Sequence, residues 1–202
     1  MPNADATLRV EFNARRPLLQ QLAATLEEKT REALEGVSHI DRIGFRVKDT
    51  ESFMTKAGDP KYTSPLTQIE DQVAGRVITF FRDDIQIVRD QITSYFRGVE
   101  HEVKEPENAT EFGYESDHYI FVIAEHWKPE GWAEESEMPV TVELQIRTLF
   151  MHAWAEPQHD IGYKANVDRI TQRELAWIAA SAWGADHKLN ELADRFAGQD
   201  SD

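Results

Sequence analysis

The segment from Gly75 to Phe81, an apolar run rich in Val, Ile and Phe, constrains the fold of this chain more than any other. A short run of that composition reads as a strand buried on both faces. Asp83-Asp84 follows, with carboxylates that favour a helix N-terminus, and then Ile85, Val88, Ile92 and Phe96 recur at helical spacing. Gly98 marks the expected end of that helix. A buried strand feeding an amphipathic helix demands a sheet with helices packed on it.

The flanking segments supply the rest of that sheet. Residues 40–48 predict a strand, because Ile43, Phe45 and Val47 alternate with small or basic residues. A short helix is expected from Thr50, with Thr50 as its N-cap. Residues 119–124 and 140–146 predict two further strands, an antiparallel pair joined by the Pro- and Glu-rich stretch 128–139. The polar stretch 100–113, with Pro106, reads as a long loop. Phe12, Leu18, Leu19, Leu22 and Leu26 predict a helix over 11–35, stopped at Gly36. A short helix over 148–156 is expected to stop near Pro157, and one or two helices fill 168–196. The expected architecture is α/β (α+β): a mixed sheet flanked by helices, with helical arms at both ends. Its parts are an N-terminal arm over 1–39, a core over 40–165 and a C-terminal helical segment over 166–202.

Composition excludes several functions. The 202 residues contain no cysteine, so disulfides and thiolate metal sites are ruled out, which fits a reducing cytoplasm. There is neither a signal-like leader nor an apolar run approaching the roughly 18 residues that span a bilayer. The net charge of −15 repels a phosphate backbone, so extended nucleic-acid binding is disfavoured. A polyanionic substrate therefore requires the few Lys and Arg to be gathered at one site.

The strands carry charges that plain core strands avoid. Arg46 and Lys48 share one face of the first strand, and Ser52 and Lys56 follow on the short helix; together they make a basic wall suited to a triphosphate, or simply a solvated face. Asp71 precedes Gly75-Arg76, and Glu143 lies within the strand 140–146 with Gln145 and Arg147 on its face. Two such carboxylates can bind Mg²⁺ while phosphates complete its shell; alternatively, Glu143 pairs with Arg147. Tyr114 at a loop edge can stack on a base, and His118 nearby can bond a phosphate. His152 and Trp154 match no zinc-helix spacing and read as a packed, hydrogen-bonded set, with His159 and Tyr163-Lys164 beyond them.

In order along the chain, these segments resemble the RelA/SpoT alarmone synthetases. The resemblance rests on Arg46-Val47-Lys48 with Ser52 and Lys56, on Asp71 to Arg76, and on Asp83-Asp84-Ile85. It continues through Gly113 to Tyr119, Val142 to Thr148, and Met151 to Ala155 with His159 and Tyr163-Lys164. The resemblance implies a nucleotidyltransferase-like fold and transfer of pyrophosphate from ATP to the 3′-hydroxyl of GDP or GTP, with Mg²⁺ as cofactor. It also implies a small stand-alone synthetase without a hydrolase domain, and a homo-oligomer, often a tetramer, built through terminal helices.

By position, Arg46, Lys48, Ser52 and Lys56 would hold the ATP phosphates, with Arg76 near the adenine or its phosphates. Asp71 would ligate Mg²⁺, and Glu143 would ligate it or help deprotonate the attacking hydroxyl. Tyr114 would stack on the acceptor guanine and His118 would meet the acceptor phosphates, supported by Gln145 and Arg147, with Lys104 offsetting nearby acidic residues. Glu115 follows Tyr114 where many family members carry a basic residue, so extra carboxylates are expected to weaken acceptor binding. The same resemblance leaves open a toxic relative acting on adenine nucleotides or the tRNA 3′ end, and a non-catalytic nucleotide sensor.

Overall fold

Five strands pair because the backbone hydrogen-bonding groups of each must be satisfied by a neighbour. A computed structural model describes residues 2–108, 111–113, 115–162 and 168–197. Its strands are β1 (Ile40–Val47), β2 (Val73–Thr79), β3 (Gly98–Lys104), β4 (Ser116–Val122) and β5 (Thr141–Thr148), in the spatial order β1-β2-β5-β4-β3. Only β2 and β5 run parallel, so the sheet is mixed, and β4 and β5 form the expected antiparallel pair. The described helices are α1 (Pro2–Ala33), α2 (Thr50–Ala57), α3 (Pro65–Gln68), α4 (Arg82–Tyr95), α5 (Leu149–Gly162) and α6 (Arg169–Ala197).

One sheet face makes the core. Leu19, Leu22 and Leu26 of α1, and Val88 and Ile92 of α4, pack with Ile43, Val77, Leu144 and Ile146. Phe45, Gly75, Leu144, Tyr119 and His101 form a continuous cross-strand row on that face. Gly75 is required there, because a Cβ would collide with the Phe45 ring and stand 2.7 Å from Leu144 Cδ1. Gly75→Ala is expected to destabilise the fold by about 1–3 kcal/mol, the usual effect of overpacking a filled core. Thermal unfolding checks this: a variant as stable as the parent shows that the row can give way.

The structure corrects four sequence expectations. Residues 98–104 are strand β3, not the end of a helix and the start of a loop. This edge strand is exposed along nearly its whole length, so no apolar alternation betrays it. The N-cap of α2 is Asp49, whose carboxylate accepts the Ser52 N–H at 2.9 Å, rather than Thr50. Helix α1 begins at Pro2, well before residue 11, and runs through Pro17. Helix α5 continues through Pro157 to Gly162, because a proline removes one donor without necessarily ending a helix that packs on a neighbour, here α6. The terminal segment meets its expectation as one helix, α6, with Ile170, Trp177 and Phe196 exposed. No helix among the described residues is long and apolar enough to cross a membrane.

Candidate active site

Residues two apart on a strand share a face, so the register decides which charged side chains meet. Opposite the core face, Gly44, Arg76, Gln145, His118 and Glu102 form one row across all five strands. Arg46, Ala74, Glu143, Ile120 and Glu100 form the adjacent row. The sequence-selected residues Arg46, Arg76, Glu143, Gln145 and His118 thus stand side by side. Asp71, in a short 3₁₀ turn before β2, and Lys56 of α2 close one end of a cleft of about 380 Å³ that Glu143, Gln145, His118 and Lys104 also line.

Asp71 is the electrostatic centre of this end of the cleft. Lys48 Nζ lies 2.8 Å from its Oδ2, and Lys56 Nζ lies 3.0 Å from its Oδ1. Although close to Lys56, that buried Oδ1 makes no hydrogen bond of ordinary geometry. Burial disfavours the Lys56 ammonium, but the Asp71 carboxylate outweighs this and holds its pKa above the usual value. Arg46 stays exposed on β1, and Ser52 sits in the first turn of α2 with its N–H given to Asp49.

Glu143 does not pair with Arg147. Its Oε1 meets His118 Nδ1 and accepts from Gln145 Nε2 at 3.1 Å. Gln145 Oε1 in turn accepts from Arg147 Nη2, and Arg147 Nε donates to Ser116 Oγ at 3.0 Å. This chain orients the Gln145 amide, since only its oxygen can face the guanidinium. Burial alone would raise the Glu143 pKa. The hydrogen bonds from His118 and Gln145, with the charges of His118 and Lys56, more than cancel it and hold the carboxyl at about 2. Such a carboxylate is a weak proton acceptor in this arrangement and a good hard-oxygen ligand.

Among the described residues, no group of three or more His, Asp or Glu is arranged to hold a metal. Two carboxylates on one cleft, one with a buried oxygen lacking a hydrogen bond, nevertheless suit Mg²⁺, which takes one or two protein carboxylates and completes its shell from phosphates and water.

Sequence reasoning missed Glu156 of α5, which occupies the arginine end of the same face. Arg76 Nη1 lies 2.6 Å from Glu156 Oε1, and Arg147 Nη1 lies 3.7 Å from it. Burial acts to raise the Glu156 pKa, but Arg76 dominates with charge and hydrogen bond and lowers it. Burial, aided by the nearby arginines, lowers the pKa of His152 against the pull of Glu156. The spacing of His152 and Glu156, four apart on one helix, was the available signal.

The residues expected to meet the acceptor are only partly described. Tyr114, Tyr163 and Lys164, and the side chain of His159, lie outside the described residues. Lys104 pairs with Glu102 on β3. Glu115 turns onto Arg82, with Oε2 3.1 Å from Nη1, so its charge is answered within the protein. Trp154 donates Nε1–H to Leu175 O at 3.4 Å, as a packed, hydrogen-bonded residue should.

Known proteins share this fold. The family model described as the region found in RelA/SpoT proteins matches residues 45–168. GTP pyrophosphokinase YjbM of Bacillus subtilis is 31% identical over 162 residues, covering 77% of this chain and 72% of that protein. Small alarmone synthetase 2 from B. subtilis superposes with a TM-score of 0.72 at 25% identity, over 91% of this chain and 98% of the other. Small alarmone synthetase 1 bound to its product pppGpp, also from B. subtilis, gives 0.69 at 25% identity, over 88% and 94%. With the family region spanning most of its length and its fold shared with these synthetases, this chain belongs to the RelA/SpoT family as a small alarmone synthetase.

Proposed function

We propose that the chain transfers pyrophosphate from ATP to the ribose 3′-hydroxyl of GDP or GTP, yielding a guanosine tetra- or pentaphosphate and AMP. The observation that carries this reading is the meeting of Asp71, Glu143, Lys48 and Lys56, drawn from four separate segments, at one cleft. Similarity to a GTP pyrophosphokinase and to a synthetase bound to pppGpp supports the choice of guanine acceptor.

In the reaction the 3′-oxygen bonds to the β-phosphorus of ATP, the α–β bridging P–O bond breaks, AMP departs and the hydroxyl proton is released. Repulsion between polyanions must be cancelled and the atoms aligned. Lys48 and Lys56, with Arg46 and Ser52 beside them, take the ATP phosphates, and Arg76 lies against the adenine or its phosphates. Mg²⁺ held by Asp71 and Glu143 would supply further charge neutralisation at the transferring group. His118 meets the acceptor phosphates beside Glu143, Gln145 and Arg147 keep that carboxylate oriented, and Tyr114 stacks on the guanine. Self-association through the terminal helices belongs to the same proposal, supported by the exposed Ile170, Trp177 and Phe196 of α6.

The test is to incubate the protein with labelled ATP and Mg²⁺, adding GDP, GTP, ADP or tRNA separately, and to resolve the products. Guanosine tetra- or pentaphosphate with matching AMP is expected; transfer only to adenine nucleotides or tRNA, or no transfer, rejects the reading. Arg76 adds a second prediction. Glu156→Gln removes its negative partner, so ATP affinity is expected to rise about threefold to tenfold, in line with one partly exposed charge contact. Calorimetric titration with ATP measures it, and unchanged affinity removes Arg76 from the ATP site.

A further inference from the structure

The two described flanks of position 114 are both tied to the C-terminal helix. On one side, Arg82 Nη1 at the start of α4 lies 3.1 Å from Glu115 Oε2 and 3.1 Å from Asp186 Oδ2 of α6. Asp186 is 1% exposed, so its charge has little solvent to stabilise it and rests on a hydrogen bond from Thr148 and on that guanidinium. The Asp83 N–H donates to Asn190 Oδ1 at 3.0 Å, fixing α4 and α6 together next to the bridge. On the other side, the Phe112 ring meets Trp183 of α6 edge to face, with centroids 5.6 Å apart.

None of these groups reaches the carboxylate cleft, and the transfer mechanism uses none of them. A plain helix-packing contact needs no carboxylate from the loop, yet this bridge joins Glu115 to the buried Asp186.

We propose that α6 positions the acceptor-binding loop: Asp186 acting through Arg82 and Glu115, and Trp183 acting through Phe112, hold both flanks of position 114. Arg82, Asp186 and Trp183 are positioning residues, because they act through the loop. This inference rests on the proposed function, in which that loop meets the acceptor. Loosening the loop should penalise acceptor binding and leave the donor site, on β1, α2 and β2, untouched.

The experiment compares Asp186→Asn and Trp183→Ala with the parent in steady-state transfer, varying GDP at saturating ATP and ATP at saturating GDP. Amide hydrogen exchange of residues 111–116 is followed in parallel. Trp183 is 41% exposed, so its truncation is compatible with folding even if the buried Asp186 variant fails. The expected result is a KM for GDP raised about tenfold, with KM for ATP and kcat at saturation nearly unchanged and faster exchange in 111–116. Arg82→Lys keeps the charge without the fork and should fall between the parent and Asp186→Asn. Faster exchange with an unchanged KM for GDP overturns the proposal. So does an equal loss on both substrates, which marks a structural role. A parent protein that makes no guanosine product overturns the functional reading instead, and the parent reaction shows which of the two has failed.

Discussion

Replacing Glu143 with glutamine should lower pyrophosphate transfer by at least about 10²-fold while ATP binding is largely retained. The substitution preserves shape, removes the negative charge and leaves the Gln145–Arg147–Ser116 chain in place. What is lost is the hard-oxygen ligand proposed at the middle strand of the sheet. Lys48, Lys56 and Arg46 lie on other elements, so their proposed contacts with the donor phosphates should survive. Single-turnover transfer and ATP titration on the same sample separate the two effects; transfer at the parental rate would remove Glu143 from the chemistry.

A pH signature accompanies the first effect. The folded Glu143 carboxyl lies at about 2, below the ordinary 4.5, so its contribution to stability is complete above about pH 4.5 and is lost as pH falls toward 2. Acid unfolding of Glu143→Gln should lack that part of the pH dependence. Coinciding curves for the two proteins would show that the His118 and Gln145 contacts do not hold the carboxyl down.

The second large effect concerns Asp71. Its carboxylate holds both Lys48 and Lys56, so Asp71→Asn has two consequences of opposite sign. Two ammonium groups lose their counter-ion, and metal-free ATP should bind several-fold more tightly. One of the two proposed carboxylate ligands disappears, and Mg²⁺-supported transfer should fall by about 10²-fold or more. Titrating ATP with and without Mg²⁺, beside the transfer assay, reads both. Weaker metal-free binding in the variant would mean that Asp71 organises the lysines rather than competing for them.

Local pattern determined much of this protein. The apolar run at residues 75–81, the alternation at 40–48 and the helical spacing of Ile85, Val88 and Ile92 specified strands and helices, because side-chain period follows backbone geometry directly. The order of the motifs around Arg46, Asp71, Gly113 and Glu143 specified the family, and the missing cysteines limited its metal chemistry. Strand β3 escaped because an exposed edge strand needs no apolar alternation; its reason to exist is the open edge of β4. The sheet order was equally hidden, since β2 pairs with β5 across more than sixty residues of chain.

Only the tertiary structure decided the pairings of the charges. Glu143 had a local partner available in Arg147, two repeats along the same strand, yet took His118 from the neighbouring β4, because adjacent cross-strand rows place ring and carboxylate within diagonal reach. Asp71 drew lysines from β1's end and from α2, and Arg82 bridged residues 33 and 104 positions away. A charge leaves no periodic trace of its partner: sequence shows which ions the chain carries, and the packing of distant elements sets which of them meet.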